Sequence, residues 1–183
     1  MNARSSLYEW DFFIAHAGPD KVIAEQLYDL LKDNARPFVD SRSLQLGVDW
    51  DIKLRNAQQR SLVTVVLISS STEKAYYQRE EIASAIALAR SNDERRVVPI
   101  YLDGEAATSD SIPYGLRLKH GITLSCDFGL PHVYQALLNL KHQLQDRPDE
   151  NKPPNTAPQR DLTMIVRNEL RSAGRLLLGG VNK

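Results

Sequence analysis

The sequence contains a single cysteine, Cys126, and no excess of charge of either sign. A lone cysteine cannot form an intramolecular disulfide, which excludes the disulfide-stapled secreted domains. Lysine and arginine number 23, as do aspartate and glutamate, so no overall basic field exists to hold nucleic acid or an acidic membrane surface. No apolar run approaches the roughly 20 residues that span a bilayer, and the start MNARSSLYEWDF lacks the apolar core of a signal peptide. We therefore predict a cytoplasmic protein that contacts neither nucleic acid directly nor a membrane.

Motifs for metals and phosphates are also missing. The sequence shows no cluster with metal-ligand spacing, no zinc-site spacing and no glycine-rich loop of the kind that cradles phosphates. We therefore expect no metal and no resident cofactor.

Short apolar runs alternate with longer segments of helical period. The 183 residues, 42% of them hydrophobic, suffice for one domain of about 150 residues and an appendage. Strand candidates, by length and residue type, are WDFFIA (10–15), RPFVD (36–40), LVTVVLIS (62–69), RVVPIYL (96–102) and GITLSC (121–126). Helix candidates are 19–33, 50–59, 75–91 and 130–145, while 103–120 offers at most one short helix.

This alternation predicts an α/β fold. Strands joined by crossover helices run parallel with right-handed connections, and 62–69 is apolar on both faces, as a central strand requires. The predicted class is a doubly wound parallel sheet with helices on both faces. In the first helix, Val22, Ile23, Leu27, Leu30 and Leu31 are expected to share one face. Ligands of such folds bind beyond the carboxyl ends of the strands.

The composition changes near residue 147. Residues 147–160 are rich in proline and polar side chains, which predicts a linker. Residues 161–183 carry leucines at helical intervals, with Asp161 as N-cap and Gly179 as terminator. An isolated amphipathic helix is marginal in water. We expect it to dock on the domain, to pair with another copy, or to be the stub of a downstream region that binds a sensor domain or partner protein.

Two loops and one helix hold the candidate functional residues. His16 follows the first strand, but a lone histidine more often caps a loop than catalyses a reaction. In the 38–54 segment, Trp50 opens a helix and is explained equally well as a staple for the loop before it. The pair Glu80 and Glu81 lies near a helix start, where the helix dipole alone favours carboxylates. The residues by themselves leave these alternatives open.

Four segments taken together resemble a known family. They are FFIAHAGPD, then D-x-x-x-L-x-x-G-x-x-W in DSRSLQLGVDW, then LVTVVLISSS followed by Y-x-x-x-E-I in YQREEI, then RVVPIYL. The chain is similar to Toll/interleukin-1 receptor (TIR) domains of the bacterial or plant-like branch, over residues 8–146. The resemblance implies a flavodoxin-like sheet of five parallel strands in the order 2-1-3-4-5.

The resemblance also implies an activity. In TIR domains that cleave NAD+, one glutamate on the helix after the third strand is catalytic, four residues beyond an aromatic, and here Tyr77 and Glu81 match that pattern. Residues at i and i+4 share a helix face, whereas Glu80 is turned about 100° away. NAD+ is then a substrate rather than a cofactor, and the products are nicotinamide with ADP-ribose or a cyclic isomer. The other implied substrate-binding residues are Phe13, Ala15, His16 and Trp50.

An alternative without catalysis remains open from the sequence. Many TIR domains act in immunity or signalling by self-association, and the resemblance implies an assembly loop at 41–50 with Leu44, Leu46, Gly47 and Asp49. The chain is expected to be an NAD+-cleaving immune effector, in anti-phage defence, activated by self-association, or a signalling adaptor that uses TIR–TIR contacts alone. Glu81 distinguishes the two, because an adaptor needs no carboxylate in the crevice.

Overall fold

A five-stranded sheet forms the centre of the fold. The computed structural model describes residues 8–44, 49–104, 112–124 and 129–146. The strands are β1 (Trp10–Ala15), β2 (Pro37–Phe38), β3 (Ser61–Ile68), β4 (Arg96–Tyr101) and β5 (Ile122–Thr123). They lie in the order β2-β1-β3-β4-β5, and all neighbours are parallel. This arrangement confirms the predicted flavodoxin-like class and strand order.

Helices connect the strands. They are α1 (Lys21–Leu31), α2 (Asp40–Ser43), α3 (Trp50–Gln59), α4 (Tyr76–Ser91), α5 (Tyr114–Arg117) and α6 (Leu130–Gln145). Short 3₁₀ turns at Gly18–Asp20 and Thr72–Lys74 precede α1 and α4. The helices predicted at 50–59 and 130–145 have the predicted bounds. The helices predicted from residues 19 and 75 begin slightly later, after these 3₁₀ turns.

The second strand is shorter than the predicted 36–40. A helical turn begins at Asp40, because the backbone N–H groups of Arg42 and Ser43 donate to the carbonyl of Val39 at 3.2 and 2.9 Å. The N–H of Val39 in turn donates to the Ser43 hydroxyl at 3.2 Å. These bonds close α2 directly after the strand, which holds Asp40 at the carboxyl end of β2.

The sheet separates two hydrophobic layers. On one face the strands pack against α1 and α6, and on the other face they pack against α3 and α4. All eight residues of β3 are buried, as a central strand covered on both faces requires. The first layer includes Phe12, Ile14, Leu27, Val65 and Val133, and the second includes Phe13, Ala15, Leu54, Val66 and Ile82.

The buried face of α1 differs from the predicted one. Leu27 and Leu31 are buried as expected, but Val22 is 65% exposed, and Ala24 is buried instead. At about 100° per residue, Val22 lies roughly 140° around the helix from Leu27, whereas Ala24 lies only about 60° from it. Leu30, at the margin of this face, is exposed. The prediction selected the buried residues by their apolar character, whereas the angular position of each residue around the helix decides which side chains are buried.

A buried carboxylate links the amino end of the sheet to α6. The side chain of Asp11 is 3% exposed, and its Oδ1 lies 2.9 Å from Nη2 of Arg36 while its Oδ2 lies 3.1 Å from Nζ of Lys141. The backbone N–H of Arg36 also donates to Oδ2 at 2.9 Å, and Lys141 donates to the carbonyl of Asn34 at 2.8 Å. Burial alone would raise the pKa of Asp11, but the bonds from Arg36 and the charge of Lys141 hold it below its usual value.

Gly121 lies where β5 approaches β4, at a position with no room for a side chain. A Cβ atom there would lie 2.6 Å from the carbonyl oxygen of Pro99 and 2.9 Å from Cε2 of Tyr101. We predict that Gly121→Ala lowers the free energy of unfolding by about 1–3 kcal/mol, because backbone must move to admit the methyl group. Urea denaturation measures this loss. Gly18→Ala is the control, since a Cβ at Gly18 meets nothing within 4 Å, and equal midpoints for the two variants would contradict the prediction.

The predicted linker (147–160) and the predicted helical segment (161–183) lie outside the described residues. Those two assignments, and the domain boundary at 146, stay predictions. Among the helices that the structure describes, none combines the length and the apolar character of a membrane span.

Candidate functional site

A histidine and an aspartate meet at the carboxyl ends of two neighbouring strands. His16 directly follows β1, and Asp40 opens α2 after β2. Because β1 and β2 are adjacent and parallel, their carboxyl ends lie at the same edge of the sheet. The two residues are 24 positions apart in the chain, yet Nε2 of His16 lies 3.1 Å from Oδ1 of Asp40. They form a pair in the crevice where such folds bind ligands.

Both ring nitrogens of His16 face hydrogen-bond acceptors. Nε2 contacts Asp40, and Nδ1 lies 2.8 Å from the backbone oxygen of Ala17. A neutral imidazole has one N–H group, so only the doubly protonated ring donates to both acceptors. Burial opposes the charge on this side chain, which is 6% exposed, but the bonds to Asp40 and Ala17 raise the pKa of His16 above its usual value. The geometry therefore favours a cationic His16.

Asp40 is the anionic partner. The hydrogen bond from His16 lowers the pKa of Asp40 against the opposing effect of burial. The backbone N–H of Ser41 also donates to Oδ1, at 2.6 Å. With a side chain 31% exposed, Asp40 remains in contact with solvent. His16 and Asp40 thus form an ion pair at the edge of the crevice.

Glu81, in the second turn of α4, is the third titratable group of the site. Its side chain is half-buried. From the residues that the structure describes, no hydrogen bond or ion pair reaches its carboxyl group. Burial, and then the charge of Asp40, raise the pKa of Glu81 to about 8, while the charge of His16 lowers it. At neutral pH Glu81 is therefore mainly in its protonated form.

Two buried amide side chains fix α4 around Glu81. Nε2 of Gln58, on α3, donates to the backbone carbonyl of Glu81 at 2.8 Å. Nε2 of Gln78, on α4, donates to the carbonyl of Leu67 in β3 at 2.6 Å. Both amides are buried, where an unmade hydrogen bond is costly. The position of Glu81 is consequently set by the anchoring of its helix to α3 and to the central strand.

The loop after β3 is tied to the start of α1. The hydroxyl of Ser69 donates to Oδ2 of Asp20 at 2.7 Å and accepts from the backbone N–H of Ser71 at 3.1 Å. The N–H of Ser69 donates to Oγ1 of Thr72 at 3.0 Å. These bonds give the crevice a hydrogen-bonded rim beyond β1 and β3.

A cavity of about 310 Å³ lies between α3 and α4. Its volume is at the lower end of the range for small-molecule sites. Glu81 lines this cavity. The charges of His16 and Asp40 also act on its carboxyl group. The lining residues are Asp51, Leu54, Arg55, Gln58, Glu80, Glu81 and Ser84.

The structure brings some of the predicted substrate-binding residues together and separates others. His16 lies at the site, whereas Phe13 and Ala15 are buried in the layer beneath it, where the Phe13 ring stacks on Phe38 at a centroid distance of 5.4 Å. Trp50 is exposed at the start of α3. The backbone of Tyr77 belongs to the first turn of α4, but its side chain lies outside the described residues.

The predicted assembly loop is described only at its two ends. Leu44 is half-buried and packs against the core layer formed with α3 and α4, where it also lines a second cavity of about 320 Å³ beside Trp10 and Phe38. Asp49 is exposed. The predictions for Leu46 and Gly47 lie outside the described residues.

Two residues of the site were not among the predicted site residues: Asp40, which entered the sequence analysis only as the first residue of the segment DSRSLQLGVDW, and Gln58. Asp40 could have been found, because it follows the second strand, which the order 2-1-3-4-5 places beside the first. The sequence gives no comparable signal for Gln58, because a glutamine in a largely polar helix is expected to be exposed to solvent. Within the described ranges, no three side chains of histidine, cysteine, aspartate or glutamate are arranged to hold a metal ion.

Comparison with known proteins gives one family match and several structural ones. The family model described as "TIR domain" matches residues 12–136. None of the curated proteins searched matches the sequence.

Among solved structures, the fold is similar to the TIR domain of the Toll-related receptor TRR-2 from Hydra magnipapillata, with a TM-score of 0.53 and 19% identity over 75% of this chain and 99% of that one. A TIR-STING receptor from C. gigas, in complex with 2′,3′-cGAMP, gives 0.59 and 18% over 77% of this chain but only 40% of that one. The TIR domains of the activated Roq1 resistosome give 0.51 and 16% over 90% and 99%. At these identities the structural likeness supports the fold.

Proposed function

Because the chain belongs to the TIR domain family, we propose that it is an NAD+ glycohydrolase, which breaks the bond between nicotinamide and ribose. The products are nicotinamide and ADP-ribose or its cyclic isomer. We further propose that it serves as an immune effector, with activity that requires self-association.

The observation that carries the proposal is the environment of Glu81. Glu81 is half-buried and lines a cavity between α3 and α4, and the charges of His16 and Asp40, at the carboxyl ends of β1 and β2, act on its carboxyl group. A carboxyl group whose pKa is raised to about 8 in a crevice is typical of functional sites. A glutamate whose only role is to interact favourably with the helix dipole needs neither burial nor a raised pKa.

The chemistry needs one well-placed carboxylate. When the glycosidic C–N bond breaks, its electron pair moves to the nicotinamide nitrogen and neutralises the pyridinium, so no general acid is required. The ribose passes through an oxocarbenium-like transition state, and a carboxylate beside it stabilises the developing positive charge. Water or an internal nucleophile then bonds to the sugar carbon, and a proton is released.

The substrate itself favours the active form of Glu81. A positive charge near a carboxyl group lowers its pKa, and the nicotinamide of NAD+ carries such a charge. In the proposed mechanism, Glu81 is mainly protonated before the substrate binds and becomes a carboxylate when the cationic ring binds. Arg55, on the opposite wall of the cavity, is a suitable partner for a substrate phosphate.

Two exposed side chains at the start of α3 support the assembly part of the proposal. Trp50 and Ile52 are large and apolar, and both are exposed in the first turn of α3. Exposed aromatic side chains such as tryptophan are frequent at protein interfaces. A second copy that covers them would place its own surface next to the wall formed by α3 and α4.

The proposal is tested by NAD+ consumption, measured on the purified full chain over a range of protein concentrations, with the products separated by chromatography. We expect nicotinamide to appear and the specific activity to rise with concentration. Trp50→Ala should lower this activity, and the loss should be partly relieved at high protein concentration. If concentrated or scaffold-clustered protein consumes no NAD+, the enzymatic proposal is wrong and a signalling role through TIR–TIR contacts takes its place.

A further inference from the structure

A second cavity, the Trp10 cavity, lies on the other side of α3 from the cavity that Glu81 lines. Its volume is about 320 Å³, close to the 310 Å³ of the Glu81 cavity. The α3 residues that line the Trp10 cavity are Lys53, Asn56, Ala57 and Arg60, and those that line the Glu81 cavity are Asp51, Leu54, Arg55 and Gln58. Each set has the spacing of one helix face, and the offset of two residues places the two sets about 160° apart around the helix. α3 is therefore a wall between two cavities, and the reaction proposed for Glu81 uses only one of them.

Aromatic side chains form part of the wall of the Trp10 cavity. Trp10 begins β1 and Phe38 ends β2, and their ring centroids lie 5.4 Å apart with the planes at 65°. Phe38 also stacks on Phe13 and is buried, whereas Trp10 is half-buried. Leu44 and Ala57 extend this apolar wall. A flat ring in the cavity can pack against the two aromatic side chains edge-to-face or offset, the arrangements that aromatic pairs prefer.

The polar residues of the cavity leave one positive charge without a counter-ion. Nη1 of Arg60 lies 2.8 Å from Oε2 of Glu9, so these two charges compensate each other. Lys53 is exposed, and no carboxylate within the described ranges forms an ion pair with its ammonium group. Ser43 and Asn56 add a hydroxyl and an amide, both of which can donate hydrogen bonds. The rim is therefore complementary to a single anionic group.

We propose that the Trp10 cavity is a binding site for a small planar aromatic anion, a ring system that carries one carboxylate or a similar group. The ring packs against Trp10 and Phe38, and the anionic group binds Lys53. The cavity volume is at the lower end of the range for small-molecule sites, which limits the ligand to about two fused rings. Binding at this site requires neither Glu81 nor NAD+, so it can be tested whether or not the protein is an enzyme.

The probe is 2-naphthoate, and the reporter is the indole N–H of Trp10. The chain has two tryptophans, which give two indole signals in ¹H–¹⁵N NMR spectra of the full chain, and Trp50→Phe assigns them by removing one. The Trp10 signal should shift more than the Trp50 signal as the probe is added, with a dissociation constant of about 1 mM or below for a ligand of this size. A Trp10 signal that does not move at millimolar probe, or that moves less than the Trp50 signal, would overturn the proposal.

Two analogues of the probe separate the charge from the ring. The amide 2-naphthamide keeps the ring and lacks the charge, and it should bind about two- to fivefold more weakly, the usual effect of one exposed ion pair. Decahydro-2-naphthoate keeps the charge and lacks the flat ring, and it should bind about two- to tenfold more weakly because aromatic packing is lost. If either analogue binds as tightly as 2-naphthoate, the proposed ligand class is wrong.

The opposite faces of α3 supply a matched pair of variants. Lys53→Gln removes the cation of the Trp10 cavity and should weaken 2-naphthoate binding about two- to fivefold, without effect on 2-naphthamide. Arg55→Gln makes the same change of charge in the Glu81 cavity and should leave both affinities unchanged. Both side chains are exposed, so both variants should fold. A loss in Arg55→Gln as large as that in Lys53→Gln would place the ligand elsewhere and overturn the proposal. If 2-naphthoate is displaced as the protein concentration rises, a second copy of the chain is the occupant instead, and the proposal is again overturned.

Discussion

Glu81→Gln is expected to reduce NAD+ cleavage by about 10²–10³-fold, the typical cost of losing one preorganised electrostatic contact to a transition state. Glutamine keeps the shape and polarity of the side chain but cannot become negative, so it cannot stabilise an oxocarbenium ion. Glu81→Ala should lose at least as much. Initial rates at saturating and at limiting NAD+ measure the effect, and the loss should fall mainly on kcat.

The matched control is Glu80→Gln, one residue earlier on the same helix. Glu80 also lines the cavity, but it is exposed and points about 100° away from Glu81 around the helix axis, so its replacement should reduce the rate far less than that of Glu81. Thermal melting should show that both variants are folded. Unlike the Trp50→Ala loss, the Glu81→Gln loss should persist at high protein concentration. If Glu81→Gln turns over NAD+ as fast as the unsubstituted protein, the mechanism is wrong.

Asp11→Ala is expected to lower the free energy of unfolding by about 3–5 kcal/mol, the usual cost of removing one partner from a buried ion pair. Asp11 receives bonds from Arg36 and Lys141, and the side chain of Lys141 is itself largely buried. Without the carboxylate, the ammonium group of Lys141 loses its anionic partner and keeps the bond to the carbonyl of Asn34. Urea denaturation measures the loss. Asp29→Ala, which breaks an exposed pair with Lys32 at 2.8 Å, is the control and should lower the stability far less, because solvent screens exposed charges.

The same carboxylate makes the fold sensitive to acid. The pKa of Asp11 is lower in the folded protein than its usual value, so its stabilising effect is present above the pKa of the unfolded chain, about 3.9. That effect is lost as the pH falls through the lower pKa of the folded state. Stability at pH 7 and at pH 3 should therefore differ less for Asp11→Ala than for the unsubstituted protein. A parallel loss of stability in both proteins would contradict this role.

Most of the fold could be predicted because its signals are local. Alternating apolar runs of the right length predict the strands and helices, and parallel order follows from the crossovers between them. The errors arose where other forces decide: the Ser43 hydroxyl shortens β2 by favouring a helical turn, and the helix angle leaves Val22 exposed.

The site was less accessible from sequence because its parts are distant in the chain. Glu81 was identified through the family resemblance, since a glutamate pair at a helix start is ambiguous by itself. His16 looked isolated, and only the contact with Asp40 across neighbouring strands gives it a charged partner. The raised pKa of Glu81 depends on burial between α3 and α4, which no local pattern reports.

The brevity of β2 has a consequence for aggregation. A long, flat edge strand exposes unpaired backbone groups that recruit strands of other molecules. Here the edge consists of two residues, one of them Pro37, which has no N–H to offer, and the chain turns into α2 almost at once. Copies of this domain can therefore crowd together without extending one another's sheets at this edge. A contact between copies at this edge would have to be made by side chains rather than by a backbone ladder.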